Sequence, residues 1–153
     1  MKKYLITLIL CIVNTIGFAQ NAREGYVDLG LPSGTLWKAT NEPELYTYTS
    51  AVYYFRNNLP NKEQFEELMY NCTWHWTGKG YQVTGPNRNT LYFPFDGYRD
   101  CDEEMYDVGV RTFIWTIECS STRYSYLCAL HKVQRDFIQR EKCYGASVRL
   151  VIN

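Results

Sequence analysis

The sequence predicts a single α+β domain in which two short helices accompany a twisted antiparallel sheet. Between residues 61 and 72, apolar side chains recur at spacings of three, four and seven, as they do on one face of a helix. After residue 72 most of the chain alternates with period two between clusters of turn residues, which is typical of antiparallel strands. The length of 153 residues fits one domain with its own core.

The first residues have the pattern of a secretory signal peptide. Two lysines precede an apolar run over residues 4–18, and Ala19 supplies the small residue expected at a cleavage site. We therefore expect residues 1–19 to be removed and residues 20–153 to form one mature domain in the periplasm, on the cell surface or in the medium. No later apolar run is long enough to span a bilayer.

The charge of the mature domain argues against a nucleic-acid partner. Removing the two lysines of the signal from 16 basic residues leaves 14 against 16 acidic residues, a net charge near −2. Such a chain offers no basic surface for phosphates. Fourteen tyrosines and four tryptophans instead favour an aromatic, β-rich core and contact surface.

The mature chain opens with a predicted hairpin and a predicted short helix. Residues 25–37 alternate in polarity around a Pro-Ser-Gly turn and end in Trp37, which indicates two paired strands. After a turn-rich connection, Thr47 or Thr49 is placed to cap a helix. The apolar face of that helix consists of Ala51, Val52 and Phe55.

The second predicted helix has the clearest local pattern in the chain. The Asn61 side chain can accept amide protons of the first turn and Gln64 can reach back to the Asn61 backbone, so a capping box starts the helix at Lys62. Its apolar stripe consists of Phe65, Leu68, Met69 and Cys72. After Asn71 the period changes to two, and we assign Trp74 and Trp76 to the interior because they share the face of Cys72.

The second half of the chain is predicted to be mostly strands. Two of them, 81–84 and 90–94, form a hairpin around the turn sequence GPNRN. Residues 95–109 are predicted to be an acidic loop, and residues 134–142 are too charged to assign. The remaining predicted strands are 111–117, a central strand at 124–133, and a closing strand at 145–152.

Five cysteines remain in the mature domain, which allows two bridges and one free thiol in fifteen arrangements. Cys101 and Cys143 lie in polar, loop-like surroundings, and we predict a bridge between them. Cys72 and Cys128 lie on apolar faces, where a buried thiol is the simpler interpretation. Cys119 is left without an assigned role.

An ordered series of motifs spans nearly the whole mature domain: GYVDLGLPSGTLW, LPNKEQFEEL, NCTW, GYQVTGPNRNTLYFP, GYR, FIWT and CYGASVRLV. This series resembles the Fibrobacter succinogenes major paralogous domain, a family abundant in secreted and surface proteins of Bacteroidetes-type bacteria. The resemblance implies a C-type-lectin-like fold, with two short helices flanking a twisted antiparallel sheet and with the chain ends paired as neighbouring strands.

The sequence departs from the family pattern at several places. Asn58 and Asn61 replace the basic residue and the threonine that often precede the second helix, and IWTIECSS stands where YWSSS is common. A long insertion that often follows the opening hairpin is missing. We expect the fold to survive these changes, but no ligand contact of those family segments carries over to this chain.

The sequence gives little support to a metal site. Sugar-binding C-type lectins hold calcium with carboxylate and amide oxygens, whereas Pro86 and Asn87 follow a glycine here, without the carboxylate. The series Asp100, Asp102 and Glu104 resembles the start of a calcium loop, but Met105 stands where that loop needs glycine. We therefore predict no metal and no cofactor.

Two Cys-x-x-His pairs could in principle bind zinc or act as nucleophile and base. They are Cys72 with His75 and Cys128 with His131. Residues three apart on a strand point to opposite faces, so neither pair can chelate without an intervening turn. No nucleophile motif of a hydrolase is present either, and we expect no enzyme.

Binding is the remaining function, and the segment around the acidic loop is the best candidate for it. Loops on a rigid sheet commonly carry ligand contacts, and aromatic side chains stack on sugar rings and partner surfaces. The predicted contact residues are Tyr98, Arg99, Asp102, Glu104 and Tyr106. We expect a secreted, non-catalytic recognition module for a glycan or a surface protein; the alternative is a structural or inhibitor-like domain that acts on a protein partner.

Overall fold

The structure is a computed structural model that describes residues 24–153, so the predicted signal peptide at 1–19 lies outside the described residues. The described chain forms two α-helices, a 3₁₀ turn at Arg56–Asn58 and eleven strands. The helices are α1 (Tyr48–Phe55) and α2 (Lys62–Asn71). The strands are β1 (Tyr26–Asp28), β2 (Leu36–Lys38), β3 (Thr73–Trp76), β4 (Gly80–Thr84), β5 (Thr90–Pro94), β6 (Tyr98–Arg99), β7 (Met105–Tyr106), β8 (Arg111–Cys119), β9 (Tyr124–His131), β10 (Gln134–Glu141) and β11 (Val151–Ile152).

Both helices begin at side-chain caps that the sequence predicts. The Thr47 hydroxyl accepts the Ser50 amide at 3.3 Å, which selects Thr47 over Thr49 as the cap of α1. At α2, Asn61 Oδ1 accepts the Gln64 amide at 2.8 Å and Gln64 Oε1 accepts the Asn61 amide at 2.9 Å. The predicted capping box and the start at Lys62 are confirmed.

The strands form several small antiparallel sheets. Three sheets have three strands each, in the orders β1-β2-β11, β3-β4-β5 and β10-β9-β8, and β6 pairs with β7 in a two-stranded ribbon. The α+β class is therefore correct. The paired chain ends that the family resemblance implies need a correction, because β2 lies between β1 and β11: Val27 and Val151 both pair with Trp37, from its two sides.

Two groups of buried side chains hold the sheets and helices together. The first lies between α2 and the first two sheets, where the Trp37 ring is 5.0 Å from Phe65 and 6.3 Å from Phe93. The second lies under α1, where Tyr48 packs edge-on against Trp115 of β8 at 5.4 Å. Burial of these apolar faces is the main driving force for docking both helices.

Two segments of the C-terminal half differ from the interpretation of the sequence. Residues 134–142 were too charged to assign from sequence, yet β10 is a regular eight-residue strand. It forms an edge of its sheet, where one side of the backbone faces solvent and charged side chains are common. In contrast, only Val151–Ile152 of the predicted strand 145–152 is a strand.

Each of residues 145–147 forms a single bridge to a different neighbour, so the segment is not part of one continuous strand pair. Gly145 bridges Arg99, Ala146 bridges Tyr46 and Ser147 bridges Ile114. The segment is buried throughout, so apolar alternation gives no information about which neighbour it pairs with.

The placement of Trp74 and Trp76 in the interior also needs correction. Both are only half-buried, because β3 is an edge strand of its sheet. They pack from outside on core rings: Trp74 stacks on Phe93 at 5.7 Å and Trp76 lies 4.8 Å from Phe95.

Within residues 24–153, no helix is both apolar enough and long enough to cross a membrane.

Candidate functional site

The segment 95–109, predicted to be an acidic loop, is a short hairpin with an ordered turn. Tyr98 pairs with Tyr106 and Arg99 with Met105. At the turn, Asp100 Oδ1 accepts the amides of Asp102 at 2.9 Å and Glu104 at 3.0 Å. One carboxylate thus satisfies two backbone donors and fixes the shape of the turn.

A glycine is required at the base of this hairpin. Gly97 has φ of 75°, in the left-handed region. A Cβ at this position would overlap the carbonyl oxygen of Tyr106, so any other residue would push the two strands apart. The GYR motif of the sequence therefore marks the start of the hairpin.

A disulfide ties the hairpin to the C-terminal part of the chain. Cys101 in the turn is bonded to Cys143, with the Cα atoms 5.0 Å apart, and this confirms the predicted pairing. Two backbone hydrogen bonds of 2.8 Å between Arg99 and Gly145 lie beside it. The hairpin is therefore fixed at its turn and along one strand, which is how a contact surface can be preorganised.

The predicted contact residues divide between the two faces of this hairpin, because neighbouring residues in a strand point in opposite directions. Tyr98 and Tyr106 share one face, and Arg99 and Met105 share the other. The side chains of Asp102 and Glu104 lie at the exposed turn. The structure thus brings the five predicted residues into one hairpin without joining them in one pocket.

The tyrosine face packs toward the core. The Tyr98 ring stacks on Phe113 at 4.7 Å and on Tyr106 at 5.7 Å, with Tyr144 at 5.8 Å. Tyr98 is therefore half-buried, which corrects the expectation that it is exposed, while Tyr106 keeps 40% of its surface exposed. Tyr98 helps to anchor the hairpin and Tyr106 remains available for contact.

Hydrogen bonding alters the acidity of Tyr106. Its hydroxyl donates to Glu104 Oε2 at 2.9 Å, and this bond to a carboxylate raises the pKa of Tyr106 to about 12. Burial, followed by the Asp107 carboxylate, raises the pKa of Tyr98. Both phenols are neutral at physiological pH and can act as hydrogen-bond donors.

The opposite face of the hairpin borders a cleft of about 480 Å³, which we call the hairpin cleft. Three parts of the chain line this cleft. Their polar residues and one methionine are Glu42 and Glu44; Asp96, Arg99 and Met105; and Ser147. Pro43 and Leu45 add apolar surface between the two glutamates. This volume lies within the ordinary range of small-ligand sites.

The polar groups of the hairpin cleft differ in the hydrogen bonds and ion pairs that they already make with other described residues. Glu42 is paired with Lys38, and Asp96 accepts the Asn41 amide at 3.0 Å. Arg99 donates only a long bond of 3.4 Å to the Leu45 carbonyl oxygen. Sequence reasoning found Arg99 but missed residues 42–45, which it treated as a connection, because nothing local shows that they meet the hairpin.

A second depression of about 330 Å³ lies on the open face of the β8-β9-β10 sheet, and we call it the sheet-face cleft. Its main lining residues are Arg111, Phe113, Ala129, Asp136, Ile138 and Arg140. Three of them are cross-strand neighbours: Phe113 pairs with Ala129, and Ala129 pairs with Asp136. Sequence reasoning missed this cleft because β10 was not recognised as a strand.

The possible metal ligands proposed from sequence are not gathered into a site. Within residues 24–153, the one close group of three is Cys101, Glu141 and Cys143, and its two sulfurs are joined in the disulfide. His75 is exposed on the edge strand β3, and Cys128 is buried in the core.

Comparison of the chain with protein-family models, with curated proteins and with solved structures found no significant match. The structure itself defines an α+β protein built from small antiparallel sheets, with a disulfide-anchored hairpin beside two open clefts.

Proposed function

We propose that this chain is an extracytoplasmic, non-catalytic recognition domain that binds a glycan in the hairpin cleft. The observation that carries the proposal is the meeting of carboxylates and a guanidinium beside a hairpin that the Cys101–Cys143 disulfide holds in place. A disulfide is consistent with export, because such bonds persist in oxidising compartments.

The chemistry of the hairpin cleft suits a polyhydroxylated ligand. Sugar hydroxyls can donate to the carboxylates of Glu44 and Asp96 and can accept from Arg99, while the C–H faces of a sugar ring can pack on Met105. Met105 is 51% exposed and lies directly opposite Arg99 in the hairpin, so apolar and charged contacts are next to each other.

The state of the acidic groups favours binding over proton transfer. Glu42 is ion-paired with Lys38, and Asp96 is held by the Asn41 amide, so both act as fixed acceptors. The hydroxyl of Ser147 lies 3.4 Å from the Thr112 hydroxyl, and both residues are buried in the core. This arrangement offers no activated nucleophile within the described cleft.

The motif resemblance points in the same direction. If the chain is a Fibrobacter succinogenes major paralogous domain with a C-type-lectin-like fold, ligand contacts are expected in loops carried on the sheet. The hairpin and residues 42–45 lie close together, since Arg99 bridges Gly145 and Tyr46 bridges the next residue, Ala146.

A glycan array probed with the mature protein tests the proposal. We expect binding to a limited set of glycans, weakened roughly tenfold or more by Arg99→Ala or Glu44→Gln, because each removes a charged hydrogen-bonding group. Arg56→Ala is the matched control, since Arg56 is exposed at the end of α1 and does not line the hairpin cleft. Binding that survives both cleft variants would exclude the hairpin cleft.

The exposed turn is tested separately with the triple variant Asp102→Ala, Glu104→Ala and Tyr106→Ala. If the turn contributes to glycan binding, affinity falls in this variant while the disulfide and the fold remain. Unchanged affinity would remove Asp102, Glu104 and Tyr106 from the site and leave the cleft face alone.

A second candidate is a structural or inhibitor-like domain that acts on a protein partner. It is favoured by four exposed apolar residues in the hairpin and just after it: Met105, Tyr106, Val108 and Val110. Capture of one protein at fixed stoichiometry, lost in Val108→Asp, would support this candidate. Glycan binding that is unaffected by Val108→Asp would favour the first.

A further inference from the structure

We propose that the sheet-face cleft is a binding site for a small ligand that combines a carboxylate with a ring or other apolar body. This site is separate from the hairpin cleft and does not depend on the proposed glycan function. The two clefts lie on opposite sides of the hairpin, since Arg99 lines one and the Tyr98 ring packs on Phe113 of the other.

Two arginines converge on this cleft from opposite edges of the sheet. Arg111 begins β8, and Arg140 lies near the end of β10, with its guanidinium 5.3 Å from the centre of the Phe113 ring. Burial, Asp107 and Tyr144 raise the pKa of the Tyr98 phenol, and both guanidiniums lower it. The same phenol therefore lies within electrostatic reach of both cations.

The bonding of Arg140 leaves most of its donors free. One terminal nitrogen donates to the Gln139 carbonyl oxygen at 2.9 Å. Within residues 24–153, Arg140 has no carboxylate at ion-pair distance, although it is half-buried. A partly desolvated guanidinium without an acid partner binds a carboxylate well, because its planar fork matches the two oxygens.

Arg111 and Asp136 set the polarity of the rest of the cleft. Arg111 Nε lies 2.8 Å from Asp107 Oδ2, and this ion pair neutralises one positive charge of the cleft. The Asp136 carboxylate accepts one hydrogen bond from the Gln134 side-chain amide, at 2.6 Å. Arg140 is therefore the cation in this cleft without a neutralising partner.

The floor between the arginines is apolar. Phe113 lies beneath Arg140, and Ala129 and Ile138 are half-buried beside it. A cleft of about 330 Å³ is at the small end of ligand sites, which fits one ring with its carboxylate. An acidic sugar and an aromatic acid share this chemistry, and the probes below distinguish them.

Titration of isotope-labelled mature protein with glucuronate and with benzoate, followed by NMR, tests the site. Glucose and benzyl alcohol are the uncharged controls. We expect at least one acid to shift the signals of Ala129 and Ile138, and neither neutral compound to do so. A larger effect of glucuronate would identify an acidic sugar as the ligand class, and a larger effect of benzoate an aromatic acid.

Arg140→Gln should weaken binding of the acid roughly tenfold or more, and Arg140→Lys should weaken it less, because the charge remains without the fork. The matched control is Arg135→Gln on the same strand, whose guanidinium lies 5.0 Å from the Trp74 ring on the other face of the sheet. Arg99→Ala, in the hairpin cleft, should leave binding of the acid unchanged.

Several results would overturn the proposal. These are the absence of shifts with both acids, equal shifts with the neutral controls, or equal weakening by Arg135→Gln and Arg140→Gln. An amide spectrum of each variant shows whether it is folded. If Arg140→Gln fails to fold, the deciding comparison is between wild type and Arg140→Lys, and equal affinity of these two for the acid would overturn the proposal. Because the probes and variants differ from those used for the hairpin cleft, either proposal can fail alone.

Discussion

The most deeply buried charge in the described chain belongs to Arg149. Its guanidinium donates to Asn41 Oδ1 at 2.7 Å, to the carbonyl oxygens of Lys38 and Ala39 at 2.9 Å, and to that of Tyr92 at 2.7 Å. Burial lowers the pKa of Arg149 to about 9, and the Asp96 carboxylate opposes this shift, so the side chain is protonated at neutral pH. It joins the opening hairpin and β5 to the C-terminal segment.

Replacing Arg149 with methionine should destabilise the protein by about 3 kcal/mol or more, because the change leaves several buried acceptors without donors. Urea unfolding measures the difference. Arg135→Met is the matched control, since Arg135 is exposed on the edge strand β10 and should change stability by about 1 kcal/mol or less. Equal losses in both variants would show that the hydrogen bonds of Arg149 add nothing.

The three free cysteines of the described chain differ in reactivity. Burial raises the pKa of Cys72 to about 11 and also raises that of Cys128, which is fully buried. Cys119 is exposed, and its interaction with the Lys142 ammonium is the largest effect that lowers its pKa below the usual 9.0. The thiolate is the nucleophile, so Cys119 is the reactive thiol of the three.

Alkylation by iodoacetamide should therefore modify Cys119 first, with a pH midpoint below that of an ordinary thiol. In Lys142→Gln the midpoint should move upward, since the cation that stabilises the thiolate is gone. Mass spectrometry of peptides after short labelling gives the rates. Faster labelling of Cys72 or Cys128 than of Cys119 in the folded protein would contradict this interpretation.

At the scale of elements, α2 shows how much local chemistry can determine. Its capping box, its start at Lys62 and the burial of Phe65 and Leu68 all follow from the sequence. A tertiary contact then adds to the cap. The Lys62 backbone amide donates to Oε1 of Glu118, which lies near the end of β8, at 2.8 Å. The helix is therefore held both by its own sequence and by the neighbouring strand.

Replacing Asn61 with alanine should destabilise the protein by about 1 kcal/mol, because the Gln64 backbone amide loses its acceptor. The reciprocal bond, from the Asn61 backbone amide to Gln64 Oε1, is also weakened when the capping box is incomplete. Thermal or urea unfolding measures this loss. Asn57→Ala provides the control, since Asn57 is exposed in the 3₁₀ turn just before α2. A larger loss in the control than in Asn61→Ala would rule out the capping explanation.

The hairpin at 98–106 shows the opposite case. Its composition suggests a solvated acidic loop, and only the structure shows that Asp100 closes a turn and that Tyr98 packs on Phe113. Strands of two residues are too short to leave a periodic pattern. Sequence reasoning could therefore name contact residues in this segment only as a prediction, and it could not separate the two faces of the hairpin.

At the scale of the whole molecule, the Cys101–Cys143 disulfide connects residues 42 positions apart and encloses β8, β9 and β10. A crosslink of this span restricts the unfolded chain, and the loop-entropy model gives a stabilisation of about 4 kcal/mol as an upper value. The enclosed sheet contains the sheet-face cleft, and the disulfide also anchors the hairpin.

Replacing both Cys101 and Cys143 with serine should lower the free energy of unfolding by up to about 4 kcal/mol and increase amide exchange in the hairpin. Glycan binding in the hairpin cleft should weaken as well, because a mobile hairpin loses entropy on binding. Cys119→Ser removes a free thiol instead and serves as the control. Unchanged stability and unchanged exchange in the double variant would show that the bridge does not constrain the domain.

The features that depend on neighbouring residues could be predicted from the sequence: the capping box of α2, a threonine cap for α1 at residue 47 or 49, the hairpins at 25–37 and 81–94, and the α+β class. These follow from backbone hydrogen bonding and from periodic burial, which act over a few residues. It also selected the correct cysteine pair from the polar surroundings of Cys101 and Cys143.

Which distant segments meet could be seen only in the folded chain. There β10 lies at a sheet edge, residues 145–147 bridge three different neighbours, Arg149 is buried, and residues 42–45 lie beside the hairpin. These contacts join parts of the chain that are far apart, and the free energy that selects them comes from packing and from hydrogen bonds to buried groups. Both candidate clefts arise from such long-range contacts, which is why no local pattern in the sequence marks them.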